Sequence, residues 1–274
     1  VSIFVARIIA GKDIMIYLNA ARVDATLFPD NTSQVWKIPL ENFVKHTEIN
    51  KIEWEFTHEG EFMQLAQLKD LIDQVGFRAE LKLKYLPYGR QDKEIQNSTT
   101  FALRTFAKLL NSLNFEKVTI MDPHSETAAE LIRNSSEEYP LDILEKVCQL
   151  TNADIVCYPD QGADSKYSYI YPYKSICGSK VRNQETGYIE SYTLHGDPKG
   201  KNVLIVDDIC DGGMTFKLLT KDLLKGGATE VNLFVTHGLF SKGLRTLFDS
   251  GIKRIFTQDG EASGYDNNIS YRRI

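Results

Sequence analysis

The chain has 274 residues, a formal net charge of −5 and a hydrophobic share of 42%. That length suits two modest domains or one large one, with enough apolar residues for a real core. The acidic balance excludes general polyanion affinity, nucleic acid included. No apolar run approaches the ~20 residues needed to span a bilayer, so no membrane contact is expected.

The opening stretch, VSIFVARI, reads as a strand rather than a leader, because no basic region and cleavage site accompany it. The four cysteines are Cys148, Cys157, Cys177 and Cys210, and no pair has the spacing of a zinc site. A reducing, cytoplasmic setting is the simplest reading, with Cys157, Cys177 and Cys210 as buried thiols in or beside apolar runs.

In chain order, DIMIYLNA, QVWKIPL and KIEWEF are short strand candidates. Phe62, Leu65, Leu68, Leu71, Ile72 and Val75 recur at helical spacing, so 61–75 reads as a helix stopped by Gly76. Strands and helices then alternate. AELKLKYL is a strand, 99–113 a helix, KVTIMD a strand, SETAAELI a short helix and LDILEKVCQL another. DIVCYP and KNVLIVDD are apolar runs ending in acid. Residues 214–226 are a helix, EVNLFVTH a strand, 242–249 a helix, and IKRIFT closes the series. This alternation predicts mostly parallel sheets flanked by helices, with ligands beyond the carboxyl ends of the strands. A boundary is expected near residue 140, at NSSEEYP.

The most informative segment is VLIVDDICDGGMTF. An apolar strand ends in Asp207 and Asp208, which can accept hydrogen bonds from the two hydroxyls of a ribose. The turn Asp211-Gly212-Gly213-Met214-Thr215 can aim backbone N–H groups at a phosphate, helped by the helix that Thr215 opens. The alternative is a strand with solvated aspartates and a capped helix. It accounts poorly for the ordered succession of strand, acid pair, loop and helix.

This segment resembles the ribose-phosphate-binding signature shared by type I phosphoribosyltransferases and PRPP synthetases. Four other segments, in order, resemble the ribose-phosphate pyrophosphokinase (PRPP synthetase) family in particular: KYLPYGRQDK, VTIMDPHSE, IVCYPDQGADSK and CGSKVRNQETG. The resemblance runs from about Leu27 to Thr257 and implies the following roles. Arg90 and Gln91 approach ATP, with Asp92 supporting the loop; an arginine fork suits a polyphosphate. His124 lies near Mg²⁺ and the triphosphate, through water or by touching phosphate, because Mg²⁺ prefers oxygen. Asp160 contributes to the metal site, and Lys166 is a candidate phosphate contact. Lys180 and Arg182 sit in a loop that closes over the reacting phosphates and stabilise the transition state. Phe28 and Asp30 match a segment that reaches the adenine pocket of a neighbouring subunit, although Phe28 fits a core position equally well. THGLF resembles the strand end after the ribose loop and reads as structural.

The resemblance therefore implies an α/β fold of two phosphoribosyltransferase-like (type I) domains. Residues 1–140 form the ATP side and 141–274 the ribose-phosphate side. It implies a diphosphotransferase that uses ATP, Mg²⁺ and ribose 5-phosphate to make PRPP and AMP, working as a homo-oligomer. The chain departs from the pattern at both ends, where the usual opening glycine- and serine-rich turn and the closing helix are absent or altered. It departs again in the phosphate loop. Gly212 lacks a hydroxyl that would contact phosphate, and Met214 is large and apolar. Either Met214 turns into the helix packing, or the pocket is changed and admits a phosphodiester-linked acceptor such as ADP-ribose. A phosphoribosyltransferase that consumes PRPP, or a catalytically silent regulatory homologue, are the readings of other classes. The first gives Arg90–Asp92 and Lys180–Arg182 no role; the second does not need the loop cations that this chain keeps.

Overall fold

The computed structural model describes residues 15–37, 49–95, 99–182, 189–265 and 268–274, with backbone alone for 180–182, 189–191, 265 and 268. The expected strand VSIFVARI, the end of QVWKIPL and the loop residues 183–188 lie outside the described residues. Contacts divide the chain into one unit ending at Tyr139 and another beginning at Pro140.

The first unit contains β1 (Ile16–Leu18), β2 (Ala21–Arg22), β3 (Ala25–Leu27), β4 (Ser33–Val35), β5 (Asn50–Trp54), α1 (Glu61–Gln74), β6 (Ala79–Leu83), α2 (Ala102–Ser112), β7 (Val118–Met121), α3 (Thr127–Leu131) and β8 (Ser135–Glu138). The main sheet runs β2-β1-β5-β6-β7-β8, and β3 and β4 form a separate hairpin. Strands β5 to β8 are parallel, while β1 joins antiparallel. Leu65, Leu68 and Ile72 of α1 are fully buried in a core that includes Trp54, Leu81, Leu83 and Ile120. Gly76 ends α1 as expected. Its φ of +76° lets its own N–H reach the carbonyl of Asp73 and that of Phe77 reach Ile72.

The second unit contains α4 (Leu141–Thr151), β9 (Ile155–Tyr158), α5 (Gln161–Tyr167), β10 (Ser175–Arg182), β11 (Ile189–His195), β12 (Asn202–Cys210), α6 (Met214–Lys225), β13 (Glu230–Gly238), α7 (Arg245–Phe248), β14 (Ile252–Thr257), β15 (Gly260–Tyr265) and β16 (Asn268–Arg272). Its sheet runs β11-β10-β9-β12-β13-β14-β15-β16. The five strands from β10 to β14 in that order are parallel, with an antiparallel strand or pair at each edge. All four residues of β9, the run Val203–Val206 and the run Val231–His237 are buried, as strands covered on both faces must be.

Several expectations need correcting. Within NSSEEYP, Ser135–Glu138 is the edge strand β8, and the division between the units falls at its end, after Tyr139. IKRIFT does not close the series, since β15 and β16 follow it as a hairpin. The helix expected over 242–249 shrinks to Arg245–Phe248, because Phe240 and Gly243 take left-handed backbone and form a turn first. Strand β12 runs past its acid pair to Cys210. Cys157, Cys177 and Cys210 are buried and unbridged, and burial pushes the Cys177 thiol up to about 11 and Cys210 to about 12.

The terminal hairpin is tied down by charge. Glu261 accepts from Arg254 Nε at 2.8 Å and from a second Arg254 nitrogen at 3.0 Å, and Arg272 also reaches it. Arg254 further donates to the carbonyl of Leu150, linking β14 to the end of α4. These partners hold the Glu261 carboxyl down at about 2. A depressed carboxylate stabilises the fold above its ordinary range and loses that contribution as pH falls through the folded value. Glu261→Gln is therefore expected to cost about 2 kcal/mol at neutral pH, the scale of a charged hydrogen bond. Urea unfolding should show the gap narrowing as pH falls towards 2. A gap independent of pH would assign the cost to packing instead.

Candidate active site

The second sheet reverses its order between β9 and β12. The chain leaves β9 towards β10 on one side and leaves β12 towards β13 on the other, which opens a crevice beyond their carboxyl ends. Cys157 pairs with Ile205, so the residues that emerge together are Tyr158–Asp160 and Val206–Asp208. The topology thus places Asp160 beside the acid pair.

Asp207 is half-buried and Asp208 only 5% exposed. The Asp208 N–H donates to Asp207 Oδ1 at 3.0 Å. Burial pushes the Asp207 carboxyl well above the usual carboxylate range, the charge of Asp208 adds to this, and that of Asp160 adds a smaller push. Asp160 also has a local job. It caps α5, accepting the Ala163 N–H at 3.0 Å, a common way to satisfy an orphan helix donor. Lys166 places its ammonium over the Tyr167 ring at 4.8 Å, so cation–π packing already engages it.

The turn after β12 is held from two sides. Ser241 donates to Asp211 Oδ1 at 2.5 Å, and the carbonyl of Cys210 accepts from both Leu239 and Phe240. Gly213 opens α6 at φ +75°, and a Cβ there would lie 2.8 Å from Leu247. Only glycine fits that backbone and that space. The N-cap of α6 is Gly213, which has no side chain to cap the first-turn N–H groups. Thr215 is half-buried, and Met214 is 56% exposed. That exposure overturns the expectation that Met214 turns into the helix packing. Lys180 and Arg182 lie on β10, opposite Tyr192 and Ile189 of β11, and their side chains lie outside the described residues.

In the first unit, Arg90, Gln91 and Asp92 follow β6, and His124 follows β7. These strands are adjacent and parallel, so both segments leave the same end of the sheet. Arg90, Gln91 and His124 are exposed and Asp92 is half-buried. Tyr88, at φ +63°, fixes the arginine loop: its hydroxyl donates to Glu59 at 2.6 Å and its carbonyl accepts from Gln91. The Gln91 carbonyl accepts the Leu103 N–H at the start of α2. Beneath the preceding loop, the fully buried Glu61 accepts from Trp54 Nε1 and from the Thr57 N–H and hydroxyl. Asp122 is buried at φ +42°, which turns the chain sharply before His124.

Phe28 and Asp30 sit at the tip of the β3–β4 hairpin. Asp30 accepts from the Thr32 hydroxyl at 2.7 Å and N–H at 3.0 Å, and these bonds hold its carboxyl below the ordinary value. Phe28 is half-buried and its N–H donates to the Thr32 carbonyl. Both residues therefore shape the turn. Glu59, Glu61, Tyr88 and Ser241 escaped the sequence reading. The only signal was a tyrosine–glycine pair before Arg90 and a serine after THGLF.

The phosphoribosyl transferase domain family matches residues 168–267. A ribose-phosphate pyrophosphokinase of Pyrococcus furiosus is 29% identical over 181 residues, 64% of this chain and 64% of that protein. One of Sulfurisphaera tokodaii is 25% identical over 257 residues, 86% of this chain and 83% of its own length. The match thus spans just under two thirds of the Pyrococcus protein and most of the Sulfurisphaera one. The crystal structure of phosphoribosylpyrophosphate synthetase from Mycobacterium smegmatis superposes with a TM-score of 0.68 at 19% identity, covering 86% of this chain and 79% of that one. This likeness shows the fold. The expected class, two phosphoribosyltransferase-like α/β units with mostly parallel sheets, is borne out.

The raised Asp207 carboxyl has a consequence for stability. A carboxyl whose folded value lies above its unfolded one penalises the fold once pH rises past the ordinary aspartate range, and costs nothing below it. Asp207→Asn is expected to stabilise the protein at neutral pH, because it removes a carboxyl that burial and the neighbouring Asp208 hold above its ordinary range. Thermal unfolding across pH would show this gain fading in acid. An Asn variant less stable at every pH would contradict the picture of repelling buried carboxyls.

Proposed function

We propose that the chain is a divergent relative of the ribose-phosphate pyrophosphokinases and that it transfers the β,γ-diphosphate of ATP to the anomeric hydroxyl of a ribose 5-phosphate unit. The observation that carries the reading is the buried acid pair beside an uncapped helix turn, at the point where the strand order reverses. Ribose hydroxyls donate to Asp207 and Asp208. The 5-phosphate rests on the N–H groups of the turn from Asp211 to Thr215. Arg90 and Gln91 take the nucleotide phosphates, with Asp92 bracing their loop and His124 beside them. Phe28 and Asp30 serve the adenine end, in a homo-oligomer.

The anomeric oxygen attacks the β-phosphorus in line. The bond from that phosphorus to the oxygen bridging to the α-phosphate breaks, AMP carries away that oxygen, and the hydroxyl proton passes to solvent. Catalysis of this kind rests on positioning and charge neutralisation rather than on a covalent nucleophile. Lys180 and Arg182 stabilise the charge on the transferring group.

Among the described residues no group of three or more His, Cys, Asp or Glu could hold a metal ion. Asp160 already spends an oxygen on its helix cap. The Asp160 carboxylate is an oxygen donor of the kind Mg²⁺ takes, and an ion carried largely by phosphate oxygens and water would fit it; His124, a nitrogen donor, would act on Mg²⁺ only through water. When bound, the ion neutralises triphosphate charge.

The exposure of Met214 and the absence of a side chain at Gly212 favour a second acceptor, one whose 5-phosphate continues into a diester, such as ADP-ribose. No described helix is long and apolar enough to cross a membrane. The four cysteines without bridges suit a reducing cytoplasm.

AMP release from ATP and Mg²⁺ with ribose 5-phosphate, ADP-ribose or no acceptor tests the reading, with product masses recorded. An acceptor heavier by one diphosphate is expected, and the productive acceptor separates the two readings. Lys180→Ala should cut kcat by roughly 10²–10³, the scale of one lost transition-state donor, while ATP affinity changes little. Absence of acceptor-dependent AMP would return weight to a silent regulatory homologue, or to a transferase that needs PRPP supplied.

A further inference from the structure

The turn after β13 reaches the phosphate loop with a cation that no sequence motif singles out. A Cβ placed on Gly212 would lie 3.6 Å from both Cδ and Cε of Lys242, so the Lys242 stem runs along the Gly212 backbone. Its ammonium is one bond further on. Among the described residues, nothing offers Lys242 an ion pair or hydrogen bond. An exposed lysine with no partner is ordinary. One laid against the backbone of a phosphate-binding turn is not.

The segment that carries it is rigid. Phe240 is 2% exposed and sits at φ +43°, anchoring the turn in the core. The Leu239 and Phe240 N–H groups share the Cys210 carbonyl, and Gly243 donates to the Phe240 carbonyl at 2.8 Å. Ser241 bonds Asp211 directly. The two turns are thus clamped on both sides of Lys242, and little freedom beyond its own rotamers is left to lose on binding.

We propose that Lys242 is a phosphate-binding and specificity-determining residue of this site, its ammonium contacting the 5-phosphoryl group of the acceptor. This rests on the ribose-phosphate reading above. Gly212 leaves the lysine stem the space beside the loop backbone, which a Cβ there would share at ordinary contact distance. The cation takes over the task that a hydroxyl on the loop would perform. An ammonium is a compact point charge and does not demand one fixed phosphate geometry, whereas a short hydroxyl on the loop does. A terminal monoester and the first phosphate of a diester both present the charge it needs. Met214 at 56% exposure and Leu239 at 45% add apolar surface on the same two segments. A larger acceptor would cover part of it.

Calorimetric titration of the full chain tests this, with ribose 5-phosphate, ADP-ribose and unphosphorylated ribose as separate probes. Lys242→Ala should weaken binding of the phosphorylated probes about ten- to hundredfold, the range of a hydrogen bond to a charged group. Lys242→Arg should restore most of it, and ribose should bind both variants as it binds the parent chain. Loss on ribose 5-phosphate alone would assign the lysine to a terminal monoester, and loss on ADP-ribose alone to a diester. Unchanged affinity for both phosphorylated probes in a parent chain that binds them would overturn the lysine while leaving the ribose site intact. Equal loss for ribose would overturn it too, by showing a structural effect. A parent chain that binds none of the probes would overturn both readings together.

Discussion

Two adjacent carboxyls near the end of one strand, Asp207 half-buried and Asp208 buried, are the constraint on which the second unit is built. Asp207 and Asp208 sit towards the end of β12, in a sheet covered on both faces, where burial raises the Asp207 carboxyl and the charge of Asp208 adds to it. Such an arrangement lowers stability in the empty protein. It makes sense for a partner that brings donors, and the two hydroxyls of a ribose are such donors. The reversal of strand order between β9 and β12 supplies the room. Asp160 is placed at the same edge by the register of β9, and its cap on α5 fixes the chain there.

The rest of the site is bracing. Gly213 and Leu247 set how closely α6 approaches α7, and that packing aims the helix start at the crevice. Ser241 bonds the carboxylate of Asp211, so the turn after β13 and the turn after β12 hold one another. The first unit uses the same device with different residues. Glu61 fastens the loop after β5, Glu59 reaches across to Tyr88, and Tyr88 fixes the loop that displays Arg90. In both units the displayed groups are held by supports that are themselves buried or hydrogen-bonded, as preorganised sites require.

Much of this was legible because parallel strands write themselves plainly. VLIV and IVCY are unbroken apolar runs and VTIM is interrupted only by Thr119, and a strand that ends in acid or histidine announces where the sheet stops. The edges were not legible. SSEE and GEASGY have neither a buried run nor a clean alternation, and they become strands only because a neighbour offers free backbone groups. Helix α5 starts at a capping aspartate that reads just as well as a ligand, so its sequence fits two accounts. The orientation of Met214 depends on the left-handed backbone of Gly213 one residue earlier, which no periodicity reports. Glu61 stands in the sequence as a first-turn acid, and only the fold brings Trp54 and Thr57 around it. Long-range hydrogen bonds of that kind leave no trace at the level of spacing.

The central claim is that the buried acid pair exists to receive ribose hydroxyls. Hydroxyl donors favour ionised carboxylates, so binding should lower the Asp207 pKa and expel a proton. The direct measurement is proton release on ribose binding, read from the heat in two buffers of different ionisation enthalpy over a series of pH values above the ordinary aspartate range, for the parent chain and for Asp207→Asn. The account predicts that the parent chain releases protons on binding and the Asn variant does not. Binding with no proton release in the parent chain, or the same release in both proteins, would contradict it.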